Sequence, residues 1–289
     1  MLIDIFPNIG KAIRSSTNQF VDYLIMNFAD GFEAFSNFIL FFLVKLEKLL
    51  RSSDPLIILL IIGLLAFWAS RKLLLSAGMV LAMWFIGTLG LWEQAMQTIA
   101  IMLVSVVIAT LIGIPLGIAA ARSNRFQSTL NPILDLMQTI PAFVYLIPAA
   151  MLFGLGKIPA ILATVIYATP PLTRLTDLGI RQVDYEVVEA GRAFGATKWQ
   201  ILKGIQIPLA LPAIMQGINQ TMMMALAMVV IASMIGARGV GETVLLGLQR
   251  NDSGQGLIGG LAIVLLAIVF DRITQSAGNR MQSHKNQSN

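Results

Sequence analysis

Few side chains in this 289-residue chain are equipped for chemistry, and their types and spacing decide which chemistry is open to them. There is no cysteine, so disulfides, thiolate metal sites and cysteine nucleophiles are excluded together. The single histidine, His284, stands in the polar tail RMQSHKNQSN, which removes histidine triads and multi-histidine metal centres. Neither glycine-rich stretch makes a phosphate loop. GLGKIP at 154–159 lacks the glycine spacing and the Ser or Thr after Lys157, and GARGVGE at 236–242 falls in a segment read as an outer loop. Asp135, Arg174 and Asp177 are the ionisable residues nearest to intramembrane positions. Arg174 and Asp177 are three apart on one helix face and are expected to pair. The contexts LDLMQ and LTDLG carry no GxGD motif, which argues against an aspartyl protease. What remains is EAGRAFGATKWQILKGIQIPLALP at 189–212. Here Glu189, Arg192, Lys198 and Lys203 alternate with Phe194 and Trp199, a mixture suited to anchoring a partner rather than to catalysis.

The local grammar of that stretch gives a compact knob. Glu189 to Phe194 favours a short helix, and Gly195 supplies a turn without a Cβ penalty. Ala196 to Lys203 forms a second short helix, and Pro208 begins the next apolar helix, where a first-turn proline needs no donor.

The elements that position this knob are membrane helices. Hydrophobic residues make up 56% of the chain and charged residues 12%, with a mean hydropathy of +0.78, whereas a soluble domain carries about 25% charged residues. Too few charges remain to cover a water-facing surface, so the chain reads as an all-α polytopic membrane bundle. At 1.5 Å per residue a hydrocarbon core of ~30 Å needs about 20 apolar residues. The apolar runs 55–70, 73–92, 98–121, 133–154, 158–178, 208–235 and 257–273 give seven candidate spans. With 179–207 inside, alternation places Arg71, Lys72, Arg122, Arg125, Arg181, Arg192, Lys198, Lys203, Arg272, Arg280 and Lys285 on the cytoplasmic side, against Lys157, Arg238 and Arg250 in outer loops. That is the retained-positive pattern of a multi-pass protein of the bacterial cytoplasmic membrane. It explains the net charge of +5 without nucleic acid.

Residues 1–54 form an N-terminal extension. Its apolar part, 20–50, is interrupted by Asp22, Asp30, Glu33, Lys45 and Glu47. An amphipathic helix lying in the interface is the cheaper reading, since a charge at the bilayer centre costs about 2.5–3.5 kcal/mol. MLIDIFPNIGKAIR lacks the basic-then-apolar order of a signal peptide. The remaining chain divides into peripheral helices at 55–97, a core at 98–275 containing the cytoplasmic loop 181–207, and a polar cytoplasmic tail at 276–289. Pro141, Pro148, Pro159, Pro170 and Pro171 interrupt the helices 133–154 and 158–178. A proline frees a carbonyl that lipid cannot satisfy, so a passage is placed beside Gln138, Thr139 and Pro141. The run TMMMALAMVVIASM at 221–234 offers Met222 and Met224 as an adaptable wall of the same passage, or as part of a helix seam.

The 189–208 stretch resembles the EAA loop of ATP-binding-cassette importer permeases: Glu-Ala-Ala, three residues, Gly, nine residues, Ile, one residue, Leu-Pro. The chain matches at Glu189, Ala190, Gly195, Ile205 and Pro208 with every spacing kept, and departs at Gly191 and Ile207. Gly191 is expected only to loosen the first short helix. Three further stretches, 134–156, 167–197 and 224–250, resemble the osmoprotectant branch, which carries glycine betaine, proline betaine, choline and carnitine. The resemblance implies a type I importer permease fold and coupling to an ATPase through Glu189, Ala190, Arg192, Phe194, Gly195, Ala196, Lys198, Trp199, Ile205 and Pro208. It implies two copies of this chain, cytoplasmic ATPase subunits that hold ATP and magnesium, an external substrate-binding protein, and surrounding lipid. No cofactor is expected in this chain. Trp68, Trp84, Trp92 and Trp199 are scattered rather than caged, so tight selection of a quaternary ammonium is assigned to the external protein. Trimethylamine oxide, dimethylsulfoniopropionate and carnitine stay open as cargo, as does a gradient-driven carrier.

Overall fold

The computed structural model describes residues 9–286; residues 1–8 of the extension and 287–289 of the tail lie outside the described residues. The described chain is helical throughout, and no strand occurs in it. The long elements are α1 (Gly10–Ser52), α2 (Pro55–Ser70), α3 (Leu73–Thr88), α4 (Trp92–Arg122), α5 (Asn124–Thr139), α6 (Leu146–Phe153) and α7 (Lys157–Arg181). Two short helices follow, α8 (Tyr185–Ala193) and α9 (Lys198–Ile201), then α10 (Ile207–Ala232), α11 (Val240–Gln249) and α12 (Ser253–Asn286). Four stretches are long and apolar enough to cross a membrane unaided: Trp92–Arg122, Lys157–Arg181, Lys198–Ile235 and Ser253–Gly278.

The spans expected at 133–154 and 73–92 take other forms. In place of one helix over 133–154, α5 and a one-turn 3-10 helix leading into α6 meet at a bend of 102°. Proline explains it. Pro141 has no N–H for the Met137 carbonyl, and Ile140, the residue before it, is forced extended at ψ 128°. The freed acceptor is recovered locally, because the Tyr145 hydroxyl donates to Met137 O at 3.0 Å. Pro170 and Pro171 do not break α7, which is continuous to Arg181. The span read as 73–92 ends at Thr88, where Leu89 and Gly90 (φ +74°) turn the chain into α4.

The described part of the N-terminal extension is one helix, kinked at Phe28 and bent by 106° from α2. Its second half is anchored rather than free. Ile39 and Leu43 are buried with Ile101 of α4, Leu146 of α6 and Ile161 of α7, and the Phe32 ring meets Phe153 edge-on at 5.2 Å. Glu47, buried beneath Arg51, accepts from Lys157 Nζ at 2.5 Å, while Arg51 reaches Glu93 at 2.5 Å. This four-residue network ties α1 to the first turns of α4 and α7.

The core is made by α4, α7 and α10, which pack most extensively on one another. Their close approach depends on small residues. A Cβ at Gly117 would lie 2.5 Å from Thr176 Cβ and 2.6 Å from the Thr173 carbonyl oxygen, so the α4 backbone rests directly on α7. Gly117→Ala is expected to cost about 1–3 kcal/mol through overpacking. That loss appears as a lowered Tm of the purified protein, and an unchanged Tm would contradict the contact. Around this core, α2 and α3 pack on each other and on α12, and α11 folds back along α12.

Candidate functional site

The 182–206 segment stands between α7 and α10 as an exposed knob held in shape by three terminal motifs. Asp184 opens α8 by accepting from Glu186 N at 2.9 Å. At its other end Gly195 sits at φ +79°, Gly195 N donates to Arg192 O at 2.9 Å, and Ala196 N donates to Gly191 O at 3.1 Å. Those paired bonds are a Schellman closure, which needs a left-handed residue at this position. Thr197 then forms a capping box with Gln200: its backbone N donates to Gln200 Oε1 at 2.8 Å, and its hydroxyl accepts from Gln200 N at 3.3 Å.

Beneath this frame Val188, Ile201 and Leu202 are buried, and Leu202 packs on Leu172 and Ile180 of α7 and on Ala210 and Ile214 of α10, which fastens the knob to the bundle. Gly191 has a more specific use than the expected loosening. A Cβ there would stand 2.7 Å from Ile205 Cδ1, so its absence lets Ile205 pack across α8. The face turned away from the bundle carries Glu189, Ala190, Arg192, Lys198 and Lys203. It also presents Phe194 at 93% and Trp199 at 61% exposure. Large aromatics left open to this degree, mixed with both charge signs, make a surface ready for a protein partner.

The second short helix does not stop before the next span. A π-turn over Leu202–Gln206 joins α9 directly to α10, and Pro208 lies in the first turn of α10. The proline offers no N–H to Gly204 O, and a wider turn just ahead of it is the usual accommodation. The second short helix of the knob and α10 therefore form one continuous helical stretch from Lys198 to Ile235.

At its other root the knob meets a polar hub that the sequence did not single out. Arg181, the last residue of α7, donates to Asp177 Oδ1 at 2.7 Å, to Asn124 Oδ1 at 2.7 Å and to Ala120 O at 2.6 Å. Gln127 of α5 completes it with a 2.6 Å bond to Asp177 Oδ2. One guanidinium thus joins the adjacent ends of α4, α5 and α7, immediately before the knob begins. Its signal was present in the sequence as an i, i+4 Asp–Arg pair.

Arg174 takes a different partner from the expected one. It pairs with Asp135 of α5, and Asp177 is committed to Arg181. Of the passage residues, Gln138, Thr139 and Pro141 are exposed at the α5–α6 break. Met224 is half-buried and shares a helical face of α10 with exposed Gln220 and Ala227. Met222 points elsewhere, into the cluster formed with Met96, Leu226 and Leu266. The structure does not bring it together with the residues of the break.

Residues 113–283 match the family of binding-protein-dependent transport system inner membrane components. The chain is 41% identical over 285 residues to the glycine betaine/proline betaine transport system permease protein ProW of Escherichia coli, covering 99% of this chain and 80% of that one. It is 48% identical over 233 residues to the glycine betaine/carnitine transport permease protein GbuB of Listeria monocytogenes, covering 78% and 81%. A chain from an inward-facing structure of the MetNI methionine ABC transporter superposes with a TM-score of 0.55 at 25% identity, covering 65% of this chain and 92% of that one.

Proposed function

This chain belongs to the family of binding-protein-dependent transport system inner membrane components, and on that premise we propose that it carries glycine betaine or a related quaternary-ammonium osmolyte inward. It is a multi-pass inner-membrane permease subunit with the type I importer fold. In the proposed machine two copies of the chain form the passage, and an external binding protein delivers the cargo. Cytoplasmic ATPase subunits hold ATP and magnesium and grip the knob formed by α8 and α9. The exposed, pre-organised knob is the observation that carries this reading. It has partner-type side chains outside, three capping motifs within, and rigid continuity with α10.

Mechanically, closure of the ATPase pair on nucleotide would draw the two knobs together. Because Lys198 to Ile235 is one continuous rod, that displacement tilts α10, and through Arg181 it is shared with α4, α5 and α7. Two packed arrangements exchange as rigid bodies, each favoured by a different ligand state. The end of the bundle that carries Arg122, Arg181 and the knob is the cytoplasmic one in this scheme, which agrees with the distribution of basic residues. Among cargoes, the relatives favour glycine betaine, and carnitine is the alternative that GbuB brings in.

Reconstitution of the permease with its ATPase and binding protein tests the reading: betaine uptake should require ATP inside the cell-equivalent compartment. Uptake that persists without nucleotide would overturn it. For the docking surface, Glu189→Lys is expected to weaken retention of the ATPase subunit in pull-down by about tenfold, the equivalent of about 1.4 kcal/mol. Undiminished retention would place the contact elsewhere on the knob.

A further inference from the structure

An ion pair stands where a membrane protein can least afford one. Arg174 lies seven residues before Arg181, so it sits about 10 Å along α7 from the knob end. With the knob end of α7 taken as the membrane surface, that places it within the hydrocarbon depth. Its partner Asp135, on the neighbouring α5, is 62% exposed, and Arg174 itself is 39% exposed. A charge facing lipid at this depth is costly. An open pair of this kind therefore faces a polar passage or a second copy of the chain.

Its surroundings favour the passage. Asp135 is one turn before the α5–α6 break, where Gln138 and Thr139 are exposed and Pro141 ends the helix. Tyr167, seven residues before Arg174, lies on the same side of α7 and packs against the apolar cluster around Ile101 and Ile161. The guanidinium is also incompletely used: Arg174 Nε is buried and has no hydrogen-bond partner among the described residues. By contrast, Arg181 engages three different acceptors only two turns away. Apart from the pair with Asp135, no hydrogen bond of the Arg174 guanidinium is seen among the described residues, and the side chain is open enough for a solute oxygen to reach its outer edge.

We propose that Arg174 and Asp135 form a station for a zwitterion in the passage, the pair opening so that the guanidinium takes the cargo carboxylate while the Asp135 carboxylate faces the quaternary nitrogen. This rests on the osmolyte reading above and deepens it. A closed pair satisfies both charges when no cargo is present, and a solute with both charges replaces each partner in one step. A solute with one charge leaves the other partner without a counter-charge, which is less favourable than the closed pair. The station thus filters for zwitterions without needing tight affinity.

The test uses the complete importer in vesicles, with loaded binding protein outside and ATP inside, and reads initial glycine betaine uptake beside ATP hydrolysis. If the unaltered importer takes up no betaine, the osmolyte reading fails, whatever the variants do. Given wild-type uptake, Arg174→Gln and Asp135→Asn should each lower it by about tenfold, the loss of one charged hydrogen bond, with ATP hydrolysis kept within about twofold. The double neutral variant Arg174→Gln/Asp135→Asn should stay as low as the single ones. Recovery of uptake in the double variant would mean that the pair is only a tether between α5 and α7, since removing both partners leaves neither charge unpaired. Wild-type uptake in the single variants, or ATP hydrolysis falling in parallel with uptake, would equally overturn the station. Should Arg174→Gln fail to assemble, Asp135→Asn at its exposed position carries the same readings.

Discussion

In Gly195→Val the assembled importer is expected to keep hydrolysing ATP while uptake falls by about tenfold or more. The reason is conformational and local. Gly195 holds φ +79° and meets nothing within 4 Å where a Cβ would be, so steric crowding does not oppose a side chain there. The backbone does. An L-residue in the left-handed region costs about 1–2 kcal/mol, and a β-branched one pays more because its Cβ substituents crowd the following carbonyl. The two bonds that close α8, Gly195 N to Arg192 O and Ala196 N to Gly191 O, depend on that geometry. When they loosen, α8 and α9 lose their fixed angle while Leu202 still holds the knob to the bundle. The partner can still dock and close, but its stroke is absorbed at the turn. Gly195→Asn, which tolerates the left-handed region, should retain most of the uptake. Normal import by the valine variant would show that the turn does not transmit force.

Arg181→Ala is expected to be the most destabilising single change in this region. It strips three hydrogen bonds at once and leaves Asp177, 8% exposed, with Gln127 as its remaining partner. Leaving a buried charge unpaired costs about 3–5 kcal/mol. Because the Arg181 side chain is 30% exposed and water screens part of the interaction, about 2–4 kcal/mol is the expected loss. The Tm of the purified permease should drop by several degrees, and Arg181→Ala/Asp177→Asn should regain part of that drop because the stranded carboxylate is gone. Equal Tm values for the wild type and the single variant would show that the hub is screened and carries little stability.

The two largest effects differ in how visible they were beforehand. Gly195 could be read from the sequence, because a glycine between two short amphiphilic helices has few other uses, and the spacing from Glu189 to Pro208 pointed to the same turn. The Thr197–Gln200 capping box was equally local, a Thr-x-x-Gln pattern ahead of a helix. Arg181 was harder. Its i, i+4 relation to Asp177 is local, but Asn124, Gln127 and the Ala120 carbonyl lie more than fifty residues away, and no periodicity brings them near. The same limit misassigned Arg174: spacing alone offered Asp177, and only the packing of α5 on α7 supplied Asp135.

Spans were legible in the same measure. Continuous apolar helices such as α4 and α7 followed from length and hydropathy. Which prolines break their helix did not, since Pro141, Pro170 and Pro171 read alike in sequence while only the first bends the chain, because a proline's effect depends on who accepts the freed carbonyl. At Met137 the acceptor is rescued by Tyr145 across a bend. Met222 and Met224 show the corresponding limit for faces. Two residues apart on a helix they point about 200° apart, so one enters the core and the other stays half-exposed.

The absence of cysteine gives a direct test of the central claim, that the knob is held from the cytoplasm by an ATPase. A single cysteine placed at Phe194, which is 93% exposed and makes no core contact, can be followed by impermeant thiol reagents and by cross-linking in the assembled complex. The account predicts labelling only from the cytoplasmic side, protection from labelling when the ATPase subunit is bound, and a cross-link to that subunit. Labelling from the outer side, or full reactivity with no cross-link in the assembled importer, would contradict it.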